Sequence, residues 1–136
     1  MTDAELQLLL MPVRTVAVLG AKESDWEPAA YVPAALAAAG LKIFPVNPGL
    51  RRRPRWGEVP VATLAELAGR VDLIDVFRRI EFLPGHITEI LALPWRPAVV
   101  WLQSGLAHPE TARLREAGIQ VVENRCLMVE YQRLVR

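Results

Sequence analysis

The residues of this chain with most capacity for ligand chemistry are a glycine that closes one apolar run, an asparagine–proline pair that closes the next, and the arginines beyond. Gly20 follows Val16–Leu19, and a glycine there lets the backbone turn sharply so that the next helix aims its free N–H groups at an anion. Asn47 and Pro48 follow Leu41–Val46, and Arg51, Arg52, Arg53 and Arg55 come immediately after. A dinucleotide fold normally ends its second strand on an acid that binds a ribose hydroxyl; cations at that place favour a phosphorylated ribose. Guanidinium suits the task, because its planar fork holds two phosphate oxygens at once. The fingerprint Gly-x-Gly-x-x-Gly is absent, since Lys22 and Asp25 stand at the later glycine positions, and this counts against NAD.

The remaining polar and reactive residues have plainer readings. Asp75 is expected to cap or to pair with Arg78 or Arg79, and His86 and His108 lack partners at metal-ligand spacing, which leaves them solvated or capping roles. Cys126 opens the last helix and reads as a small buried residue before a redox one. Trp56, Trp95 and Trp101 read as packing residues, and Trp26 is the tryptophan placed to approach a ligand. No nucleophile–base–acid set or carboxylate pair is evident, so binding without catalysis is expected.

The elements that must position these residues follow from patterning. Apolar runs at Val16–Leu19, Leu41–Val46, Val71–Phe77, Ala98–Leu102 and Ile119–Val122 do not alternate with polar residues, as expected of strands covered on both faces. Helical segments at Ala4–Leu10, Tyr31–Ala39, Thr63–Ala68, Pro84–Leu91, Pro109–Ala117 and Cys126–Leu134 lie between them. This alternation predicts a three-layer α/β fold, a Rossmann-like, doubly wound parallel sheet of five main strands plus a short edge strand around Glu58–Val61, in the order 3-2-1-4-5-6. Pro33 is tolerable only in a first turn, which sets the helix start near Tyr31 and leaves Ala21–Ala30 as a long loop. Ligands of such sheets sit beyond the carboxyl ends of the strands, here Gly20–Ser24, Asn47–Arg53, Asp75–Phe77 and Gln103–Gly105.

Size and charge bound the function. The 136 residues, 52% hydrophobic and 23% charged, fit one domain covering 1–136, with no room for a second catalytic one. A net charge of +1 argues against a nucleic-acid partner. The single cysteine forbids an intrachain disulfide and makes a reducing cytoplasm the expected compartment. No run approaches the ~20 apolar residues of a spanning helix, and the N-terminus, with Asp3, Glu5 and Pro12, does not read as a signal peptide, so no membrane role is expected.

Five segments in register resemble the small stand-alone CoA-binding domain proteins, which are similar to the N-terminal domain of the succinyl-CoA synthetase alpha subunit. They are Val16–Ala21, Gly40–Pro48, Val71–Phe77, Val100–Gly105 and Gly118–Cys126, and they cover nearly the whole length. The resemblance implies a Rossmann-type fold holding coenzyme A at the switch point. In the synthetase the phosphorylated histidine belongs to a second domain, which this chain lacks. By position, Gly20, Ala21, Lys22 and Ser24 would lie against pyrophosphate or ribose; Asn47, Pro48 and one of Arg51, Arg52 and Arg53 near the ribose phosphate; Val76 and Phe77 beside the adenine; and Gln103, Ser104 and Gly105 near the pantetheine arm. The family usually has a small hydroxyl residue where this chain has Lys22.

The expected function is therefore non-catalytic binding of CoA or an acyl-CoA by a cytoplasmic sensor, carrier or regulatory protein, with a protein partner left open. Two alternatives stay open: an NADP-binding oxidoreductase or nicotinamide-sensing module, whose 2′-phosphate the same arginines would hold, and the CoA-binding subunit of a split acyl-CoA ligase. A mixed disulfide between Cys126 and the CoA thiol also stays open.

Overall fold

The computed structural model describes residues 1–135. Five parallel strands, β1 (Thr15–Leu19), β2 (Lys42–Val46), β3 (Leu73–Val76), β4 (Val99–Leu102) and β5 (Gln120–Val122), form one sheet in the order β2-β1-β3-β4-β5. The chain starts in the middle, steps outward to β2, then crosses back to β3, so the switch point lies between β1 and β3.

Side-chain parity divides the core. Val16, Val18, Leu73, Val99 and Trp101 face one side, where they meet Leu6 and Leu10 of α1 (Asp3–Leu10), Val32 and Leu36 of α2 (Pro28–Ala38), and Leu127 and Tyr131 of α5 (Leu127–Leu134). Ala17, Leu19, Ile74, Val76, Val100 and Leu102 face the other, against Leu83, Ile87 and Ile90 of α3 (Leu83–Leu91) and Leu114 of α4 (Ala112–Glu116). Both faces are covered, which is why the strands read as unbroken apolar runs.

The edge strand contracts to one bridge, between Val61 and Val46. The preceding residues are diverted into a two-residue hairpin: Arg55 and Glu58 exchange backbone hydrogen bonds of 2.8 and 3.2 Å around Trp56 and Gly57, both at positive φ. Pro60 also supplies no N–H to a ladder. The helix expected over Thr63–Ala68 is a single 3-10 turn, Leu64–Glu66.

The first crossover helix starts at Pro28, not near Tyr31, and Pro33 lies inside it. A proline at that place removes the N–H that would bond the Ala29 carbonyl. The Lys22 N–H takes that carbonyl instead, at 3.2 Å, so the interruption is satisfied by the loop leaving β1. The same bond pins the loop against the helix.

Candidate functional site

At the carboxyl ends of the strands a cleft of about 600 Å³ opens between the β1–α2 loop, the start of α2, and the ends of β3 and β4. Its walls are mixed in character: Trp26, Pro28, Ala29, Tyr31, Val32, Phe77 and Leu106 are apolar or aromatic, while Lys22, Arg78 and Arg79 bring positive charge against one carboxylate, Glu27 at the N-cap of α2. Trp26 is 78% exposed at the rim, an arrangement that leaves its indole face open to a planar group. The long crossover loop and the early start of α2 together place this aromatic edge.

Of the residues singled out in the sequence, Lys22, Phe77, Gln103 and Ser104 line this cleft. Gln103 is only 6% exposed, and its side-chain oxygen accepts from the N–H of Leu127 at 3.0 Å. Its NH2 group has no partner among the described residues. Gly20, Asn47 and Pro48 line an adjoining cavity of about 180 Å³ with Arg78, His86 and Glu89. Arg51 and Arg53, with Glu23, Leu50 and Arg55, line a third of about 150 Å³. Ala21, Ser24, Arg52, Val76 and Gly105 line none of the three. Ala21 and Val76 are fully buried, on opposite faces of the sheet.

Gly20 is required twice over. Its φ is +91°, and a Cβ there would stand 2.9 Å from Cδ of Arg78 and 3.1 Å from the carbonyl oxygen of Phe77. The end of β1 and the residues after β3 thus touch with nothing between them, which is what brings the cations of the β3 end over the β1–α2 loop.

Asn47 fastens the loop from beneath. Its NH2 donates to the Ala21 carbonyl at 2.8 Å, and its side-chain oxygen accepts from the Gly49 N–H at 3.0 Å. Arg55 clamps the loop from the side, donating to the carbonyls of Lys22 at 3.1 Å and Glu23 at 2.6 Å. The N–H of Arg51 donates to Glu23 at 2.9 Å and, as the main cause, holds that carboxyl below its ordinary range. The guanidinium groups of Arg51, Arg52 and Arg53, by contrast, form no ion pair among the described residues and are exposed. The arginine run therefore splits: Arg55 builds the loop, and its neighbours present charge.

Two expectations, one about β3 and one about α3, are corrected. Asp75 pairs with neither Arg78 nor Arg79: it is fully buried, neither carboxyl oxygen has a hydrogen-bond partner, and burial pushes its pKa well above the ordinary carboxyl range. Its place in the middle of the sheet, opposite Val18 and Trp101, puts it out of reach of those arginines. His86 is not a solvated residue, its side chain being 20% exposed and held between Arg78 and Glu89. His108 does cap, accepting the Glu110 N–H at 3.0 Å. Cys126 stands at the N-cap of α5 and lines the large cleft; the Trp101 indole, donating to the Arg125 carbonyl at 2.7 Å, fixes the turn that carries it.

Sequence reasoning missed Arg78, Arg79, Tyr31 and Leu106 as cleft residues. The signal for Arg78 was present, since a cation directly after a switch-point strand occupies the same kind of position as the cations after β2.

The comparisons with known proteins agree with this geometry. The family model described as CoA binding domain matches residues 14–132. YneT of Bacillus subtilis (strain 168) is 33% identical over 131 residues, covering 96% of this chain and 94% of that protein. A solved structure from Thermus thermophilus, cell-free ID.343, is 49% identical with a TM-score of 0.92, over 98% of this chain and 99% of that one. A hypothetical protein from Pyrococcus horikoshii OT3, at 24% identity and a TM-score of 0.88 over 100% of this chain and 94% of that one, shares the fold. A chain matched by that model over nearly its whole length, with the strand order and strand-end cavities described above, belongs to the CoA-binding domain family.

Proposed function

We propose that this protein binds coenzyme A or an acyl-CoA across the carboxyl ends of β1, β2, β3 and β4, without chemistry of its own, as a cytoplasmic sensor, carrier or regulatory protein. The observation that carries the reading is the pairing of a large, mixed apolar and cationic cleft with a separate arginine-lined cavity beyond β2. Coenzyme A is itself divided in this way, with a long uncharged thiol arm, a diphosphate, and an adenosine bearing a 3′-phosphate. In this reading the arm lies along Gln103, Ser104 and Leu106, which supply an amide donor without a partner among the described residues, a hydroxyl and an apolar side chain. The diphosphate lies at Lys22 and the N-terminus of α2, where the helix dipole adds partial positive charge. The 3′-phosphate meets Arg51 and Arg53.

Isothermal titration with CoA, dephospho-CoA and NADP tests this directly. CoA is expected to bind about tenfold tighter than dephospho-CoA, the difference one charge-assisted phosphate contact supplies. Equal affinity for the two removes the arginines from the account, and NADP binding tighter than CoA moves the reading to a nicotinamide module. Native mass spectrometry of the protein as isolated adds an independent measure, since a retained ligand declares its own mass.

A further inference from the structure

Resting on that reading, we propose that Arg78 is the anion clamp for the ligand's diphosphate and that Glu89 and His86 act as the residues that aim it. The aliphatic stem of Arg78 crosses the backbone of Gly20, so close that only a glycine fits beneath it, and this carries the guanidinium to the mouth of the β1–α2 loop. The side chain lines both the large cleft and the cavity beside Asn47 and Pro48, so it stands where a ligand spanning the two must pass.

Its surroundings are unlike those of the next residue. Arg79 pairs with Glu81 at 2.6 Å and is largely exposed. Arg78 is half-buried and has no carboxylate within ion-pair distance among the described residues, although both arginines lie near the Phe82 ring, 5.4 and 5.9 Å from its centroid. Among the described residues the Arg78 side chain makes one hydrogen bond, from Nε to Nε2 of His86 at 3.3 Å. His86 Nδ1 lies 3.1 Å from Oε1 of Glu89, whose other oxygen accepts from the Leu64 N–H at 3.4 Å.

These contacts assign the protons. A histidine that donates from Nδ1 to a carboxylate keeps its Nε2 lone pair for the arginine, which is the neutral tautomer. The chain Glu89–His86–Arg78 therefore fixes the guanidinium at one corner and leaves its terminal N–H groups without partners among the described residues. A half-buried cation whose one side-chain partner among the described residues is neutral has no carboxylate in direct contact, and a bridging phosphate pair supplies that charge along with two parallel acceptors. The diphosphate is the matching group because Arg78 faces the end of β1 and the loop before α2, whereas the arginines after β2 line a separate cavity.

Titration calorimetry with CoA, dephospho-CoA and inorganic pyrophosphate on the full chain decides the matter. Arg78→Met keeps the stem over Gly20 and removes the charge; it is expected to weaken CoA and dephospho-CoA by the same factor, about tenfold or more, and to abolish any pyrophosphate binding. Arg78→Lys, which retains a point charge without the fork, should fall between, and it serves the test if the methionine variant does not fold. His86→Ala should weaken both coenzymes about threefold to tenfold, while His86→Gln, whose amide oxygen accepts from a guanidinium, restores affinity. Binding by Arg78→Met within about twofold of the wild type overturns the clamp while leaving the CoA reading intact. His86→Gln no better than His86→Ala, with equal thermal melts, overturns the aiming role. A wild-type protein indifferent to CoA overturns the reading and the clamp together.

Discussion

The two ends of the sheet handle polar groups in opposite ways. At the amino end, Asp72 accepts from the backbone N–H groups of Arg14 at 2.8 Å and Thr15 at 3.1 Å and from the Arg70 side chain at 2.8 Å, while its own N–H donates to the Thr15 hydroxyl at 2.8 Å. Arg70 also donates to the Arg96 carbonyl at 2.9 Å. Those hydrogen bonds outweigh partial burial and hold the Asp72 carboxyl below its ordinary range. At the carboxyl end, Arg78, the Gln103 amide and the guanidinium groups of Arg51 and Arg53 keep donors without partners among the described residues. A fold that saturates one end and leaves the other wanting acceptors has divided its polar residues between holding the sheet and meeting a ligand.

The comparison breaks most visibly if Asp72→Ala is mild. That substitution strands donors at the starts of β1 and β3, and urea unfolding is expected to show a loss of about 3 kcal/mol with CoA affinity unchanged. A stability near wild type would mean that the amino end is no more committed to structure than the other.

Asp75, between the two ends, sharpens the contrast through pH. Its folded carboxyl is raised above the ordinary 3.8 by burial, so the folded state keeps a proton that the unfolded state has lost. Its contribution is therefore fully present below the unfolded value and declines as pH rises through the folded one, by at most ~1.4 kcal/mol per pH unit. Asp75→Asn carries no such titration. Relative to wild type the variant should gain stability steadily from about pH 4 upward, and subtracting the two curves cancels Asp72 and Glu123, whose lowered pKa values slope the other way. A constant difference between the two proteins would mean that Asp75 ionises freely inside the fold.

The ligand-facing end is probed by smaller changes. Arg51→Gln with Arg53→Gln should weaken CoA about tenfold and leave dephospho-CoA untouched, with no change in the melt, since both side chains are exposed and form no ion pair among the described residues. Trp26→Ala, at the cleft rim, should cost about threefold in CoA affinity and nothing measurable in stability. A lowered melting temperature in either variant would show that these residues support the fold after all.

Much of this was readable from residue order. Unalternating apolar runs gave the parallel sheet because both its faces are covered, and Gly20 marked the switch point because a turn that tight admits little else. The edge strand was legible only at Val61, since the turn at Trp56 and Gly57 needs a bulky residue at positive φ, which no propensity predicts. Asp75 and Arg78 sit three positions apart on a segment that suggests an ion pair, yet strand geometry sends one into the interior and the other over Gly20. Likewise the arginine run looked uniform, and only the path of the loop separates Arg55, bound to two carbonyls, from its exposed neighbours.

The proline within α2 has a last consequence. Because the Ala29 carbonyl receives Lys22 rather than a helical amide, the segment after β1 is tethered to the opening turn of a rod. Sliding of that rod along its axis would tow the lysine with it. A residue with an ordinary amide at position 33 would compete for the same oxygen and cut the tow-line, so what looks like a flaw in the helix is the coupling between its position and the charge presented to whatever occupies the mouth of the cleft.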